Sequence, residues 1–374
     1  MKISVRNSCS DFNSYRAARV KSLFNCDSGA DFSIDADLPE DENWKIGVIV
    51  GPSGSGKTSI GQQIWPDVGI YDGNLGWSKD KPIIDEILSG GSFDEVTNSL
   101  AAVGLGSVPT WLKPFHVLSN GEKFRAGLAR VIAEQRPRVI IDEFTSVVDR
   151  QIAKIGAGAF SKSWRRTGGK AVLLSCHYDV LDWLEPDWVF DTRTKELQRG
   201  LLWRRPTMEL EIFKTDSSYW RMFEPHHYLK LPLMISAKYY VGFIDGEAVA
   251  HIAVSPKLEI HGMRACRMVV MPEWQGAGVG MKFLNNVCSM QFDETINPYA
   301  HRTRAVYFHT SHPGLCAALR RDKKWVQVSQ MMGGGHKGKS AKSIKKANGR
   351  KTPGYGGHLR AVQGFKMVRR PAHA

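Results

Sequence analysis

Residues 44–58 decide the fold, because Trp44-Lys-Ile-Gly-Val-Ile-Val50 runs directly into Gly51-Pro-Ser-Gly-Ser-Gly-Lys57-Thr58. The first part is an apolar run typical of a buried strand, and residues 58–65 continue in a helical pattern. A Gly-x-x-x-x-Gly-Lys-Thr turn between a strand and a helix presents backbone N–H groups and a helix N-terminus to a phosphate. The stretch therefore predicts a phosphate-binding loop.

Two side chains of this loop have predicted roles in binding a nucleotide. Lys57 would reach the terminal phosphates, and the Thr58 hydroxyl would ligate Mg²⁺. The remaining predicted phosphate contacts are Gly51, Ser53, Gly54, Gly56 and Ser59.

Further apolar strand patterns occur at residues 138–142 and 170–175, with helical patterns between them. Apolar strands that alternate with helices are typical of a parallel sheet covered on both faces. The N-terminal half is therefore predicted to be an α/β domain.

Four short motifs follow the loop in a fixed order. They are Leu118-Ser-Asn-Gly-Glu122, Asp142-Glu143 at the end of a strand, Ser146-Val-Val-Asp149, and His177 after another strand. Together with the loop, this order resembles the ABC ATPase family, with its Walker A, signature, Walker B, D-loop and switch-histidine motifs, across residues 20–200.

The resemblance implies a role for each motif. Asp142 would help to hold Mg²⁺, Glu143 would act as the general base on the attacking water, and His177 would contact the γ-phosphate. Ser119 and Gly121 would contact the γ-phosphate bound by a second copy. One such domain per chain then implies a homodimer that closes on ATP.

Departures from the family pattern argue against a transporter. Asn120 replaces the first glycine of the signature, the stretch before the signature is short, and no Q-loop glutamine is evident. No run approaches the roughly 18 apolar residues of a membrane helix. The N-terminus lacks an apolar signal segment, and the cysteines form no Cys-x-x-Cys pair. The sequence therefore predicts a cytoplasmic motor or switch with no membrane partner.

The pattern changes near residue 206, so the predicted domains are 1–205 and 206–374. Residues 239–244 and 248–254 predict a hairpin around Asp245-Gly246-Glu247. Val269-Val-Met-Pro-Glu-Trp-Gln275-Gly-Ala-Gly-Val-Gly280 then repeats the order strand, glycine loop, helix, without a following lysine. This stretch resembles motif A of the GNAT acyltransferases, and it predicts an α+β GNAT-like domain.

The GNAT resemblance implies that acetyl-CoA binds at this second glycine loop. Backbone N–H groups at the start of the helix would hold the pyrophosphate, and the preceding strand would separate from its neighbour to admit the pantetheine arm. The predicted cofactor contacts are Val269, Val270, Gln275, Gly276, Ala277, Gly278 and Gly280.

The candidates for acyl-transfer chemistry are Glu273 as base and Tyr307 as acid toward the CoA thiolate. Ser311 is a second candidate acid. Glu273 has an equal reading as a surface residue. His251, His309 and His312 are interpreted as structural histidines in or beside strands.

The positive charge is concentrated at the C-terminus. Residues 301–374 contain 17 Lys and Arg and one acid, Asp322, and therefore carry +16, whereas the first 300 residues carry −2. A basic Gly/Lys-rich insertion is predicted at residues 329–358. Such a charge excess favours a nucleic-acid partner, although a solvated tail is the alternative.

Acetyl-CoA is already activated, so acyl transfer itself does not require ATP. The leading interpretation is an ABC-type ATPase that clamps or licenses a large acceptor, a tRNA or DNA base, for a GNAT-like acyltransferase. Two alternatives stay open at this point. One is an ATP-gated protein or amine N-acetyltransferase, and the other is a nucleic-acid-binding ABC ATPase with a non-catalytic GNAT-like module.

Overall fold

The structure is a computed structural model. It describes residues 1–8, 11–25, 32–40, 43–74, 76–200, 202–229, 233–234, 236–257, 262–293, 305–333 and 360–368. The chain divides into two compact units. The first unit contains Met1–Asp80 and Pro114–Pro206, and the second contains Lys81–Lys113 and the residues described from Thr207 onward.

The described residues form the following strands and helices. The strands are β1 (Lys2–Asn7), β2 (Phe32–Asp37), β3 (Ile46–Val50), β4 (Ile70–Tyr71), β5 (Arg138–Ile141), β6 (Lys170–Ser175), β7 (Trp188–Asp191), β8 (Glu196–Arg199), β9 (Glu211–Thr215), β10 (Lys238–Ile244), β11 (Glu247–Lys257), β12 (Gly262–Val270), β13 (Ala305–Thr310), β14 (Trp325–Gly333) and β15 (Arg360–Met367). The α-helices are α1 (Tyr15–Phe24), α2 (Lys57–Ile64), α3 (Ile83–Glu86), α4 (Phe93–Ala102), α5 (Val108–Trp111), α6 (Asn120–Glu134), α7 (Arg150–Trp164), α8 (Leu181–Leu184), α9 (Trp220–Phe223), α10 (Val279–Asp293) and α11 (Pro313–Arg321).

The first unit is built on a six-stranded sheet with the order β4-β5-β6-β3-β7-β8. Strands β4 to β7 pair in parallel, and β8 is antiparallel to β7. Every residue of β3 is buried, which explains its unbroken apolar sequence, because a central parallel strand is covered on both faces. The predicted parallel α/β sheet is confirmed. The carboxyl ends of β3, β5 and β6 meet at one edge, and this edge carries the phosphate-binding loop.

The second unit contains a seven-stranded sheet with the order β14-β15-β13-β12-β11-β10-β9. All neighbours in it are antiparallel except β12 and β13, which are parallel. Asp245 and Gly246 join β10 to β11 with φ values of 50° and 79°, the left-handed conformations that a tight hairpin turn requires. The predicted hairpin is therefore present.

The structure differs from the sequence prediction at the insertion of residues 329–358. Strand β14 continues to Gly333, so residues 329–333 belong to a strand, while residues 334–358 lie outside the described part. β14 is an edge strand with Val326, Val328 and Met331 exposed. An edge strand without a buried stripe gives a weak sequence signal.

The structure also differs from the predicted division at residue 206 in the unit to which Lys81–Lys113 belongs. This segment lies in the predicted 1–205 domain by sequence, yet it packs with the second unit. The reason lies in contacts to residues far along the chain, which no local pattern reveals.

Candidate functional site

The phosphate-binding loop follows the buried strand β3 and turns into α2 at Lys57. Gly54 and Gly56 have φ values of 74° and 83°, which L-residues adopt only with strain. Ser53 and Gly54 are exposed at the top of the turn. The loop therefore presents its backbone outward at the N-terminus of an eight-residue helix, an arrangement suited to an anion.

Lys57 folds back over its own loop. Its Nζ donates hydrogen bonds to the Gly51 carbonyl at 2.9 Å and to the Pro52 carbonyl at 2.8 Å. An ammonium group at this position is within reach of any phosphate that the loop holds. The predicted contact of Ser59 is less direct, because its hydroxyl accepts a 3.4 Å hydrogen bond from Asn7.

Thr58 and Asp142, the two predicted Mg²⁺ ligands, meet at the edge of the sheet. The Thr58 hydroxyl donates to Asp142 Oδ2 at 2.8 Å, and the backbone N–H of Glu143 donates to Asp142 Oδ1 at 2.8 Å. A hydroxyl and a carboxylate are hard oxygen donors of the type that Mg²⁺ takes together with phosphate oxygens. Among the described residues, no group of three or more His, Cys, Asp and Glu is arranged to hold a metal. The pair therefore fits an ion shared with a phosphate ligand rather than an all-protein cage.

The segment after Asp142 has an unusual backbone. Glu143 and Thr145 have φ values of 49° and 70°, in a region that non-glycine residues seldom occupy. The side chain of Glu143 is exposed and that of Thr145 is buried. Strained residues of this kind cluster at functional sites, where the surrounding structure holds them in place.

His177 is positioned beside this strained segment. Its Nδ1 lies 3.3 Å from the Thr145 hydroxyl, and its backbone N–H donates to Ser175 Oγ at 3.1 Å. The Ser175 hydroxyl in turn donates to the Phe144 carbonyl at 3.0 Å. The Ser175 hydroxyl thus links the end of β6, next to His177, to the segment after β5, next to Glu143.

The electrostatic surroundings favour a neutral His177. Burial lowers the pKa of the imidazole, and the positive charge of Arg150 lowers this pKa further, against smaller opposing effects of Asp179 and Glu143. A neutral imidazole at the edge of the site can accept or donate one hydrogen bond without adding charge.

The predicted signature residues lie at the start of α6. Ser119 is the N-cap: its hydroxyl accepts from the Glu122 N–H at 3.3 Å, and Glu122 Oε2 accepts from the Ser119 N–H at 2.9 Å. A Cβ on Gly121 would lie 2.9 Å from Ile152 Cδ1. The capping box and this close approach fix the N-terminus of a 15-residue helix, and both Ser119 and Asn120 are exposed there.

Phe32 borders the phosphate-binding loop, and sequence reasoning missed it. A Cβ on Gly56 would lie 2.5 Å from Phe32 Cε1, so the half-buried ring lies against the turn that begins α2. Thr192 was missed as well. Its hydroxyl lies 2.6 Å from Ser55 Oγ, and a Cβ on Gly51 would lie 2.0 Å from the same hydroxyl oxygen. The only sequence signal for Phe32 is an aromatic residue at the start of a short strand.

The second glycine loop has the predicted order of strand, loop and helix. β12 ends at Val270, a short 3₁₀ turn spans Pro272–Trp274, and α10 begins at Val279. Gly276 and Gly278 have φ values of 95° and 86°. Ala277 lies between them and donates its N–H to the Trp274 carbonyl at 3.4 Å.

The side chain of Gln275 is engaged at both polar atoms. Its Nε2 donates to the Val270 carbonyl at 2.9 Å, and its Oε1 accepts from the Gly106 N–H at 3.1 Å. Gly280 packs closely, since a Cβ there would lie 3.2 Å from Met268 Cε. A ligand of this loop would therefore meet backbone groups rather than the Gln275 amide.

Strands β12 and β13 separate beside this loop. They pair only from Gly262↔Ala305 to Ala265↔Phe308. Beyond that point β12 keeps its pairing with β11, as at His251↔Val269, and β13 keeps its pairing with β15. Val269 and Val270 thus lie on the part of β12 that is no longer paired with β13.

The two candidate catalytic residues of the second unit, Glu273 and Tyr307, lie at different positions along the strand direction. Glu273 follows the end of β12, whereas Tyr307 pairs with Arg264 where β12 and β13 are still joined. Six residues of strand separate Arg264 from Val270, which corresponds to about 20 Å. Lys257 Nζ lies 4.8 Å from the centre of the Tyr307 ring. The register does not bring Tyr307 to the glycine loop.

His251 and His309 lie within strands β11 and β13, and His312 is the N-cap of α11. Burial lowers the pKa of His251 to about 4, and its ring stacks on Phe223 at 5.4 Å. Burial, with Arg264 and Lys257, lowers the pKa of His309 to about 4.

No helix in the described part of the chain has the length and apolar character needed to cross a membrane.

Comparison with known proteins gives relatives for part of the chain. No protein-family model matches the sequence. The cytochrome c biogenesis ATP-binding export protein CcmA of Rhodospirillum rubrum is 28% identical over 163 residues, covering 36% of this chain and 68% of that protein. CcmA of Nitrobacter winogradskyi is 29% identical over 156 residues, covering 34% of this chain and 76% of that protein.

Solved structures give weaker likenesses. A dimeric bacterial ABC transporter cassette is 14% identical with a TM-score of 0.35, covering 43% of this chain and 87% of that chain. A bacterial Atm1-family ABC exporter with ATP bound is 17% identical with a TM-score of 0.33, covering 44% of this chain and 34% of that chain. TM-scores this low carry no inference.

The sheet edge, the glycine turn and the Thr58–Asp142 pair define the first unit as a P-loop nucleotide-binding domain. The order of its motifs, together with the similarity to CcmA, supports an ABC-type ATPase domain in this part of the chain.

Proposed function

We propose that this protein uses ATP hydrolysis in the first unit to control acyl transfer from acetyl-CoA to a nucleic acid in the second. The observation that carries the proposal is the second glycine loop, which opens a helix where two parallel strands separate. The same chain therefore holds two loops suited to phosphate groups, one with a lysine and one without.

In the ATP half, Lys57 turns from its own carbonyls toward the terminal phosphates, and Thr58 and Asp142 hold Mg²⁺. The ion supplies charge stabilisation for the phosphates when it is bound. The ring of Phe32 offers an apolar face beside the loop on which the adenine stacks.

Glu143 acts as general base on the attacking water, and His177 contacts the γ-phosphate. Support comes from the strained φ of 49° at Glu143, which holds an exposed carboxylate directly after the magnesium ligand. The lowered pKa of His177 favours the neutral imidazole, which can form one hydrogen bond with the γ-phosphate.

The active species is a homodimer that closes on ATP. Ser119 and Gly121 lie at the exposed N-terminus of α6, a helix end that favours a phosphate. In the proposed dimer this N-terminus contacts the γ-phosphate bound by the partner subunit. The capped Ser119 hydroxyl is already oriented by its own helix, which lowers the entropic cost of that contact.

In the acyl-transfer half, backbone N–H groups of the loop from Gln275 to Gly280 hold the pyrophosphate of acetyl-CoA. The left-handed Gly276 and Gly278 shape the turn that precedes α10. The separated part of β12, which carries Val269 and Val270, receives the pantetheine arm. Glu273 lies at this end of the strand and is the candidate base. Tyr307 stays a weaker candidate acid because of its register.

A nucleic-acid acceptor is favoured by charge. Residues 301–374 carry +16, although most of the basic insertion lies outside the described residues. The four neighbouring strands β12 to β15 contain no Asp or Glu in their described sequences. A sheet region without carboxylates, next to a basic segment, suits a polyanion.

The proposal is tested by following labelled acetyl groups from acetyl-CoA to tRNA, to single- and double-stranded DNA, and to bulk protein, with and without Mg-ATP. Label in nucleic acid that requires ATP and is lost in Lys57→Ala and Glu143→Gln is the expected result. Label in protein alone would favour an ATP-gated protein acetyltransferase.

Two variants of Gly278 separate catalysis from a silent binding module. Gly278 has a φ of 86° and open space around it, so Gly278→Ala adds backbone strain alone, whereas Gly278→Glu also adds a negative charge to the loop. We expect Gly278→Glu to abolish transfer and Gly278→Ala to retain much of it. No label in any acceptor, with ATPase activity intact, would contradict the proposal.

A further inference from the structure

The segment Lys81–Lys113 belongs to the second unit, although it lies in the sequence between the phosphate-binding loop and the signature. It contains α3, α4 and α5, and both of its ends continue covalently into the first unit. The Ile83 N–H donates to the Lys113 carbonyl at 3.0 Å, which closes the base of the excursion. The segment is therefore a closed loop of chain that leaves the ATPase motifs and returns to them.

The turn after α4 touches the backbone of the second glycine loop. Gly104 has a φ of 79°, and a Cβ there would lie 2.1 Å from the Gln275 carbonyl oxygen and 2.8 Å from the Gly276 N. Two residues later, the Gly106 N–H donates to Gln275 Oε1 at 3.1 Å. Only glycine at position 104 allows the two backbones to approach this closely.

The carbonyl of the same Gly106 is held from the other side by His312. His312 Nε2 lies 2.9 Å from the Gly106 oxygen, and His312 Nδ1 accepts from the Leu315 N–H at 3.3 Å. Because Nδ1 is an acceptor, Nε2 carries the proton and donates to Gly106. Trp111 packs edge-on against the imidazole with ring centres 5.6 Å apart.

These contacts place one peptide segment, Gly104–Gly106, between the glycine loop and the N-cap of α11. The α4 and α11 helices also approach closely, since a Cβ on Gly314 would lie 2.6 Å from Ala101 Cβ. A shift of Gly104–Gly106 cannot occur without moving Gln275 or breaking its hydrogen bond. The conformation of the loop thus depends on a segment that is joined at both ends to the first unit.

We infer that Lys81–Lys113 transmits the nucleotide state of the ATPase domain to the acyl-CoA loop by shifting the Gly104–Gly106 contact on Gln275. This inference rests on the proposed acetyl-CoA site. Gln275 acts here as a positioning residue: its side chain fixes the loop, while the loop backbone binds the ligand. By reciprocity, acetyl-CoA changes the affinity for ATP by the same factor as ATP changes the affinity for acetyl-CoA.

The test measures acetyl-CoA affinity of the full chain by titration calorimetry, without nucleotide and with the Mg²⁺ complex of a non-hydrolysable ATP analogue. We expect the two affinities to differ by about fivefold or more. Gly104→Ala, which clashes with the Gln275 carbonyl, should bring the ratio close to one. Gly90→Ala is the matched control, because Gly90 has a φ of 80° and nothing within 4 Å, and it should keep the wild-type ratio.

A second variant guards against misfolding of Gly104→Ala. His312→Asn keeps an N-cap side chain for α11 but is too short to donate to Gly106, so it should also reduce the ratio. A full wild-type ratio in both Gly104→Ala and His312→Asn would overturn the inference.

Hydrogen exchange distinguishes failure of the inference from failure of the proposed function. Exchange of the peptide that covers residues 274–282 is followed with and without the ATP analogue, in the absence of acetyl-CoA. Exchange that responds to the analogue about fivefold in wild type but not in Gly104→Ala supports the transmission. Exchange that ignores nucleotide overturns it. Absence of acetyl-CoA binding under all conditions instead refutes the acyltransferase proposal.

Discussion

Replacing Gly56 with alanine tests how closely Phe32 borders the phosphate-binding loop. Gly56 has a φ of 83°, and the added Cβ would lie 2.5 Å from Phe32 Cε1 and 2.6 Å from Phe32 Cζ. A left-handed alanine costs about 1–2 kcal/mol, and about 0.4–1 kcal/mol of this is offset because alanine stiffens the unfolded chain. Overlap with the ring adds about 1 kcal/mol, the lower end for overpacking, because the half-buried Phe32 ring can turn.

Gly54 provides a matched control within the same loop. Its φ is 74°, and a Cβ there would have nothing within 4 Å. Gly54→Ala therefore carries the backbone strain without the overlap. We expect Gly56→Ala to lower the free energy of opening by about 1 kcal/mol more than Gly54→Ala does.

The assay is hydrogen exchange of the nucleotide-free full chain, followed on peptides that cover β3 (Ile46–Val50), since exchange there reports opening of the first unit alone. Adding Phe32→Ala to Gly56→Ala should remove most of the extra loss, with a coupling of about 1 kcal/mol in the double-mutant cycle. Two results would refute the close packing of Phe32 on the loop. One is an equal loss of opening free energy in Gly56→Ala and Gly54→Ala, and the other is strict additivity of the free-energy losses of Gly56→Ala and Phe32→Ala.

Three further predictions follow from single side chains. Phe32→Ala should weaken Mg-ATP about tenfold, the lower range for base–aromatic stacking, yet leave inorganic tripolyphosphate unaffected in competition titrations. Ser119→Ala should lower the exchange protection of α6 by about 1 kcal/mol through loss of the N-cap, whereas Ser119→Asp should keep the cap but abolish ATP-dependent dimers in light scattering. The pKa of His251 is about 4 in the folded protein against an ordinary 6.5. As pH falls, the unfolded state therefore takes up this proton at a higher pH than the folded state does. Stability of the second unit should therefore drop by about 2 kcal/mol between pH 7 and pH 5 in exchange measurements, and His251→Phe should reduce that drop.

The placement of the phosphate-binding loop and of Asp142 could be predicted from the sequence because these motifs are local. The positions of Lys57 and Thr58 follow from one turn, and Asp142 follows directly from an apolar strand. A parallel sheet brings the carboxyl ends of such strands to one edge, so the 2.8 Å Thr58–Asp142 contact is a consequence of fold class. Phe32 escaped prediction because it reaches the loop from β2, which belongs to a separate two-stranded sheet.

In the second unit, the turn of the hairpin could be predicted from local sequence patterns, but the strand register and the unit boundaries could not. Its hairpin at Asp245–Gly246 is fixed by two residues that adopt left-handed conformations, so the turn could be predicted. The register of β13 against β12 depends on the whole sheet, and it alone separates Tyr307 from Glu273. Membership of Lys81–Lys113 in the second unit depends on contacts between residues far apart in sequence, such as Gly106 and Gln275, which are 169 residues apart.

The two glycine loops differ in what a ligand must displace. Lys57 is bound to carbonyls of its own loop, so phosphates must exchange these contacts for their own, and ATP binding reorganises the loop. The Gln275 side chain is already bound at both polar atoms, and these two contacts hold the second loop without being ones that a ligand must break. A preorganised loop binds at low conformational cost but cannot regulate itself. Control over it can come through the group that holds Gln275 Oε1, which is the Gly106 N–H, on a segment that is joined at both ends to the first unit.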